Sequence, residues 1–204
     1  MIGHNPKFIF IHIPKTGGNT ISNVLLDYAD MKWIRKNTHA GKQQGLKCLT
    51  ISKHSFIDEW VKYCKGDVED YYIFTVLRNP YDKMVSFLNF SADNDINHIE
   101  NQKFTLYPFR KYFGNMIDKV DYFIDFNYFH NEFDVVLDDL GIKEEVRKRY
   151  PATPHINKYP HKHWKEYFNN DELINRFREQ YQDDIDLYNK YRKDKNPIDE
   201  RYGL

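Results

Sequence analysis

Two short stretches hold residue types suited to binding and transferring anions. In FIFIHIPKTGGNTI an apolar run stops at Pro14 and turns into Lys15, Thr16, Gly17, Gly18, Asn19 and Thr20. Paired glycines let a backbone approach an anion closely, and a helix that follows aims its first N–H groups and positive dipole end at it. The hydroxyls of Thr16 and Thr20 and the ammonium of Lys15 add donors. Because the lysine precedes the glycines, the GxxxxGK[ST] order of ATP and GTP sites is absent. The second stretch, VLRNPYDKMVS, ends an apolar run at Arg78 and carries Ser86 onto a helix that can begin at Pro80. A guanidinium fork and a hydroxyl converging there suit a terminal phosphate. Each stretch alone also has an ordinary explanation: a Gly-Gly turn joins strand to helix, and an arginine caps nearby carbonyls.

The elements that must position these residues follow from the spacing of apolar side chains. KFIFIHI (7–13), YYIFTVL (71–77) and VDYFIDF (120–126) read as buried strands, and 47–51 as a shorter one. Helices are predicted over 18–28, through Ile21, Val24, Leu25 and Tyr28, and over 55–63. A third, from Pro80 onward, buries Met84, Val85 and Leu88. Further helices are expected over 131–140, stopped by Gly141, and over 171–192, through Ile174, Phe177, Tyr181, Ile185 and Tyr188. Residues 147–165 read as a loop with short turns. Strands alternating with helices predict an α/β fold, a mainly parallel sheet flanked by helices on both faces. Ligands of such sheets lie beyond the carboxyl ends of the strands, where both stretches fall.

The chain has 204 residues, consistent with a single domain over 1–204, and its lysines and arginines balance its acids at 30 each. That balance argues against a nucleic-acid partner. No apolar run approaches a membrane span and no signal segment precedes the first strand, which points to a soluble, cytoplasmic protein. Cys48 and Cys64 fit no metal pattern. The segment 147–165 is rich in lysine, arginine and histidine, holds no acid, and interleaves its charges with aromatics. It is either a solvated loop, a lid over a nucleotide, or a surface for an anionic, ring-containing acceptor. Its pair His161 and His163 is too sparse for a metal site.

Taken together, PKTGG and RNPYDKMVS resemble the sulfotransferases that use 3′-phosphoadenosine 5′-phosphosulfate (PAPS), above all the carbohydrate-type branch and its small soluble bacterial or viral relatives. The likeness extends from about residue 7 to 192, through KHSFIDEW (53–60), VDYFIDFNYFHNEFDVVLDDLGI (120–142) and TPHINKYPHKHW (153–164). It implies the P-loop-like sulfotransferase fold, with Pro14, Lys15, Thr16, Gly17, Gly18, Asn19 and Thr20 around the 5′-phosphosulfate and Arg78 and Ser86 on the 3′-phosphate. It also implies that His155 and Asn157 touch nucleotide or acceptor. The family has Thr or Ser directly after Gly-Gly, where this chain has Asn19. Lys83 replaces an arginine common in the second motif, and Phe126-Asn127-Tyr128 replaces Phe-Glu-Asn.

The implied reaction moves a sulfuryl group from PAPS to a hydroxyl acceptor, with a carbohydrate favoured, and releases 3′-phosphoadenosine 5′-phosphate (PAP). Lys15 would neutralise charge on the departing phosphate. A sulfuryl group carries less charge than a γ-phosphoryl group, so no metal is expected. The acceptor needs a base, and neutral histidine is best tuned for that near pH 7. His54 matches the family's histidine upstream of Arg78 and is the first choice, His39 the second, while His12 supports the first turn. The alternatives are a divergent P-loop nucleotide kinase and a non-catalytic nucleotide- or glycan-binding module. Acceptor identity and oligomeric state are not legible in the sequence.

Overall fold

The computed structural model describes residues 1–30, 52, 54–90, 96–154, 161–194 and 199–204. Four strands form one sheet in chain order: β1 (Ile2–His4), β2 (Lys7–Ile11), β3 (Tyr72–Leu77) and β4 (Tyr122–Asp125). β1 runs antiparallel to β2, whereas β2, β3 and β4 are parallel, with Phe10 opposite Phe74 and Val76 opposite Ile124. β1 is not expected from the sequence, because IGH is too short to show a period-two pattern. The other strands fall inside their predicted spans, and 47–51 lies outside the described residues.

Alternation along the strands divides the core in two. Phe8, Phe10, Phe74, Val76 and Ile124 face one layer, built by α1 (Gly18–Val24), α5 (Phe129–Asp139) and α6 (Lys143–Arg149). Ile9, Ile11, Ile73, Leu77 and Phe123 face the other. That second layer contains α2 (Ile57–Val61), α3 (Pro80–Phe90), α4 (Phe109–Phe113), α7 (Trp164–Tyr167) and α8 (Asp171–Tyr191). Both faces of the parallel strands are therefore buried, as unbroken aromatic and β-branched runs require. The predicted α/β architecture with helices on both faces is the observed one.

Local chemistry sets the ends of these helices. Asn79 starts α3: its side-chain oxygen accepts from the N–H groups of Tyr81 (2.9 Å) and Asp82 (3.3 Å), and Pro80 occupies the first turn where no N–H is needed. α5 ends as Gly141 predicts. Gly141 takes φ 68°, its N–H donates to Asp138 O and that of Ile142 to Leu137 O, a paired cap that satisfies the last carbonyls.

Three expectations need correction. α1 stops at Val24 and continues to Tyr28 only as turns. The segment 147–165 is not wholly a loop, because α6 runs to Arg149 and α7 opens at Trp164. The C-terminal helix is interrupted at Tyr181 (φ −123°, ψ 20°), where the ring stacks on Phe177 and its hydroxyl donates to Leu106 O at 2.7 Å.

A buried ion pair fastens the second layer together. Lys83 on α3 donates to Asp184 on α8 at 2.8 Å, with both side chains at or below 1% exposure. The other oxygen of Asp184 accepts the N–H of Phe109 at 2.6 Å, and the Lys83 ammonium lies 3.9 Å from the centre of the Phe109 ring. Position 83 of the second motif thus points into the core.

Candidate active site

The first turn follows β2 directly and is held from within. Thr16 is fully buried and its hydroxyl donates to Ile13 O at 2.9 Å, so that hydroxyl closes the turn instead of facing a ligand. Lys15 adopts φ 66° and Gly17 φ 81°. Left-handed backbone costs a non-glycine residue about 1–2 kcal/mol, so Lys15 is held there against its own preference. Gly18 is needed for space: a Cβ at this position would lie 2.3 Å from the ring of His12. Thr20 is buried one turn later, with its N–H on Gly17 O at 3.0 Å.

Arg78 directly follows β3 and joins the two turns. Its Nη1 donates to the carbonyl of Lys15 at 2.7 Å and its Nε to Asp82 at 2.6 Å, while the guanidinium lies 4.4 Å from the centre of the Phe126 ring. These bonds use part of a five-donor fork and fix the orientation of the rest. His161 closes in from the C-terminal side, its Nε2 3.4 Å from Arg78 Nη2 and 3.8 Å from Asp82. His163 points elsewhere: its Nδ1 accepts from Lys165 N–H and caps α7, so the two histidines do not form a metal pair. Ser86 is buried on α3. His39, His155 and Asn157 lie outside the described residues.

His54 sits beside the first turn. Its Nδ1 is 2.9 Å from the carbonyl of His12, and the two imidazoles meet edge to face at 4.7 Å. A carbonyl only accepts, so in the neutral ring Nδ1 carries the proton and Nε2 is the basic nitrogen. His54 and Pro14 line a cleft of about 690 Å³ whose walls include Phe56, Phe87, Tyr107 and Tyr112. The chain therefore brings Lys15, Arg78, His12 and His54 to one end of the parallel strands, next to an aromatic-walled cavity.

The sulfotransferase family model matches residues 1–90, the span that runs from β1 through both turns to the end of α3. Over this span the chain is similar to the sulfotransferase family. The four-stranded, mostly parallel sheet between helical layers fits the α/β sulfotransferase fold. Sulfuryl transfer is accordingly the chemistry that the family match supports. The likeness read in 120–164 lies beyond the matched span. No curated protein and no solved structure matches the chain significantly.

Several contributors are not evident from the sequence. Phe90, 57% exposed at the end of α3, receives the Lys15 ammonium over its ring at 4.1 Å. Phe126 supports Arg78 and approaches Gly17, whose added Cβ would lie 3.2 Å from its ring. Asn127 extends the same corner: its N–H donates to Asp125 and its amide to the Tyr188 hydroxyl at 3.2 Å. Burial, with the charge of Asp125 behind it, pushes the Tyr188 phenol up to about 12, so it stays neutral. Only Asp82, four positions after Arg78, had a local signal, the i,i+4 spacing of an ion pair. Among the described residues no group of three or more potential metal ligands is present, and no helix is long and apolar enough to cross a membrane.

Proposed function

We propose that the protein transfers a sulfuryl group from PAPS to a hydroxyl acceptor, with a carbohydrate favoured. The observation that carries this reading is the hydrogen bond from Arg78 to the carbonyl of Lys15, which joins the two anion-type turns beside the His54 cleft. The donor set fits a nucleotide with phosphates at both ends: turn amides and the Lys15 ammonium for the 5′ side, the Arg78 fork with Ser86 for the 3′ side. PAPS supplies an activated sulfur whose phosphate is a good leaving group.

The acceptor oxygen forms its bond to sulfur as the bond from sulfur to the phosphate oxygen breaks, in line. His54 Nε2 takes the acceptor's proton, and the Lys15 ammonium stabilises the electron pair left on the phosphate oxygen. The His12 carbonyl holds the base in the tautomer this step needs. The lower charge of a sulfuryl group lets positioning and these cations suffice without a metal.

A thermal-shift series with PAP, AMP, and ATP with magnesium tests the reading. PAP should raise the melting temperature well above AMP, and Arg78→Ala should remove most of that difference. Equal shifts from PAP and AMP would overturn the 3′-phosphate assignment, and a preference for ATP with magnesium would favour a kinase. His54→Ala should lower turnover by roughly 10²-fold or more with PAP affinity little changed. A parent-like rate on a proven acceptor would remove His54 as the base.

A further inference from the structure

The described walls of the His54 cleft carry a single formal charge. Among its described lining residues Glu59, on α2, is the only acid and none is a lysine or arginine. The Glu59 side chain is half-buried and has no ion-pair or hydrogen-bond partner among the described residues. In the same wall the Ser55 hydroxyl is buried with no partner. The Ser55 hydroxyl gains from any partner that reaches it, because an unpaired polar group away from water costs free energy, and the Glu59 carboxylate is open to a donor that enters the cleft.

Three described basic residues of the segment 147–165 are engaged outside this cleft. Arg147 donates to Asp134, to Tyr150 O at 3.1 Å and to Thr153 at 2.9 Å. Arg149 pairs with Asp27, and Lys165 with Asp199 at 2.6 Å. Lys111 rests 5.1 Å from the centre of the Tyr107 ring and does not line the cleft. What the cleft offers is rings: Phe56 meets Tyr107 and Tyr112 edge to face at 5.8 and 5.4 Å, and Tyr107 is 53% exposed. Such walls take the flat apolar face of a sugar or phenol, and aromatic faces also attract cations.

We infer that the acceptor is a hydroxylated ring bearing a protonated amine, with Glu59 as the residue that pairs the amine while the hydroxyl faces His54. This rests on the sulfuryl-transfer reading of the same site. A polyanionic acceptor would bring like charge to Glu59.

The test uses PAP-saturated protein and two matched probe pairs, the β1,4 disaccharide of glucosamine against cellobiose, and tyramine against 4-ethylphenol. Calorimetry reads binding, and radiolabelled sulfuryl transfer from PAPS reads turnover. At least one amine should bind about tenfold more tightly than its neutral partner, as a charge-assisted hydrogen bond allows. The pair that shows the preference tells a sugar from a phenol. Glu59→Gln should abolish the preference while PAP affinity stays at the parent value. PAP-bound protein that takes amine and neutral probes alike, or takes neither amine, overturns the inference, as does a preference that survives Glu59→Gln. Failure of PAP to bind would instead remove the sulfuryl-transfer reading beneath it.

Discussion

Asp184→Asn should be among the most damaging polar substitutions outside the site. The change keeps the shape of the side chain and its ability to accept the Phe109 N–H, but turns an amide toward the Lys83 ammonium. That ammonium is 1% exposed and its carboxylate partner lies 2.8 Å away, so no water can replace the lost charge. Breaking one half of a buried ion pair costs about 3–5 kcal/mol. For a chain of this size each kcal/mol moves the melting temperature by about 2–4 °C, so the loss should be about 6–20 °C. Circular dichroism at 222 nm, confirmed by urea titration, measures it. The double variant Lys83→Met with Asp184→Leu removes both charges and fills the space with apolar atoms, leaving only the Phe109 N–H without its acceptor. That orphan costs about 1–3 kcal/mol, so the double variant should melt above Asp184→Asn. A single variant within 2 °C of the parent, or a double variant no better than the single, would refute the view that this pair fastens α3 to α8.

Gly18→Ala should destabilise the protein by about 1–3 kcal/mol and displace His12, because its Cβ would lie 2.3 Å from that ring; a parent-like melting curve would contradict the packing. Lys15→Ala should reduce turnover by more than it reduces PAP affinity, since the leaving group gains charge only as the bond breaks; equal losses in kcat/KM and PAP binding would assign Lys15 to uniform binding. Transfer from PAPS should persist in EDTA, and loss of activity restored by magnesium would point to a metal-assisted reaction instead.

The strands were legible because β2 and β3 are buried on both faces, so Phe8 to Ile11 is an unbroken apolar run and Tyr72 to Leu77 is broken only by the β-branched Thr75. Pro80 and Gly141 marked helix ends through backbone constraints that hold in any context. The first turn was legible because Gly17 and Gly18 answer local demands, a positive φ and a close approach to His12. What escaped depends on contacts between distant residues. β1 is defined by its pairing with β2, and its three residues carry no pattern of their own. The support of Arg78 by Phe126 and of Lys15 by Phe90 joins residues far apart in the chain, and an exposed phenylalanine looks the same in sequence as a buried one. The role of His161 was likewise hidden, since its neighbours Arg78 and Asp82 lie in another motif.

Residues that serve a ligand usually trade stability for activity, so their replacement often leaves a sturdier but inert protein. The hydrogen bond from Arg78 to the Lys15 carbonyl removes that trade at this position. The same guanidinium that we propose for a phosphate also holds a lysine in backbone it would not choose and ties the ends of two parallel strands. Selection for a well-folded chain and selection for a working one therefore act on Arg78 in the same direction. A screen that reports only on folding should retain arginine at position 78 with no substrate present.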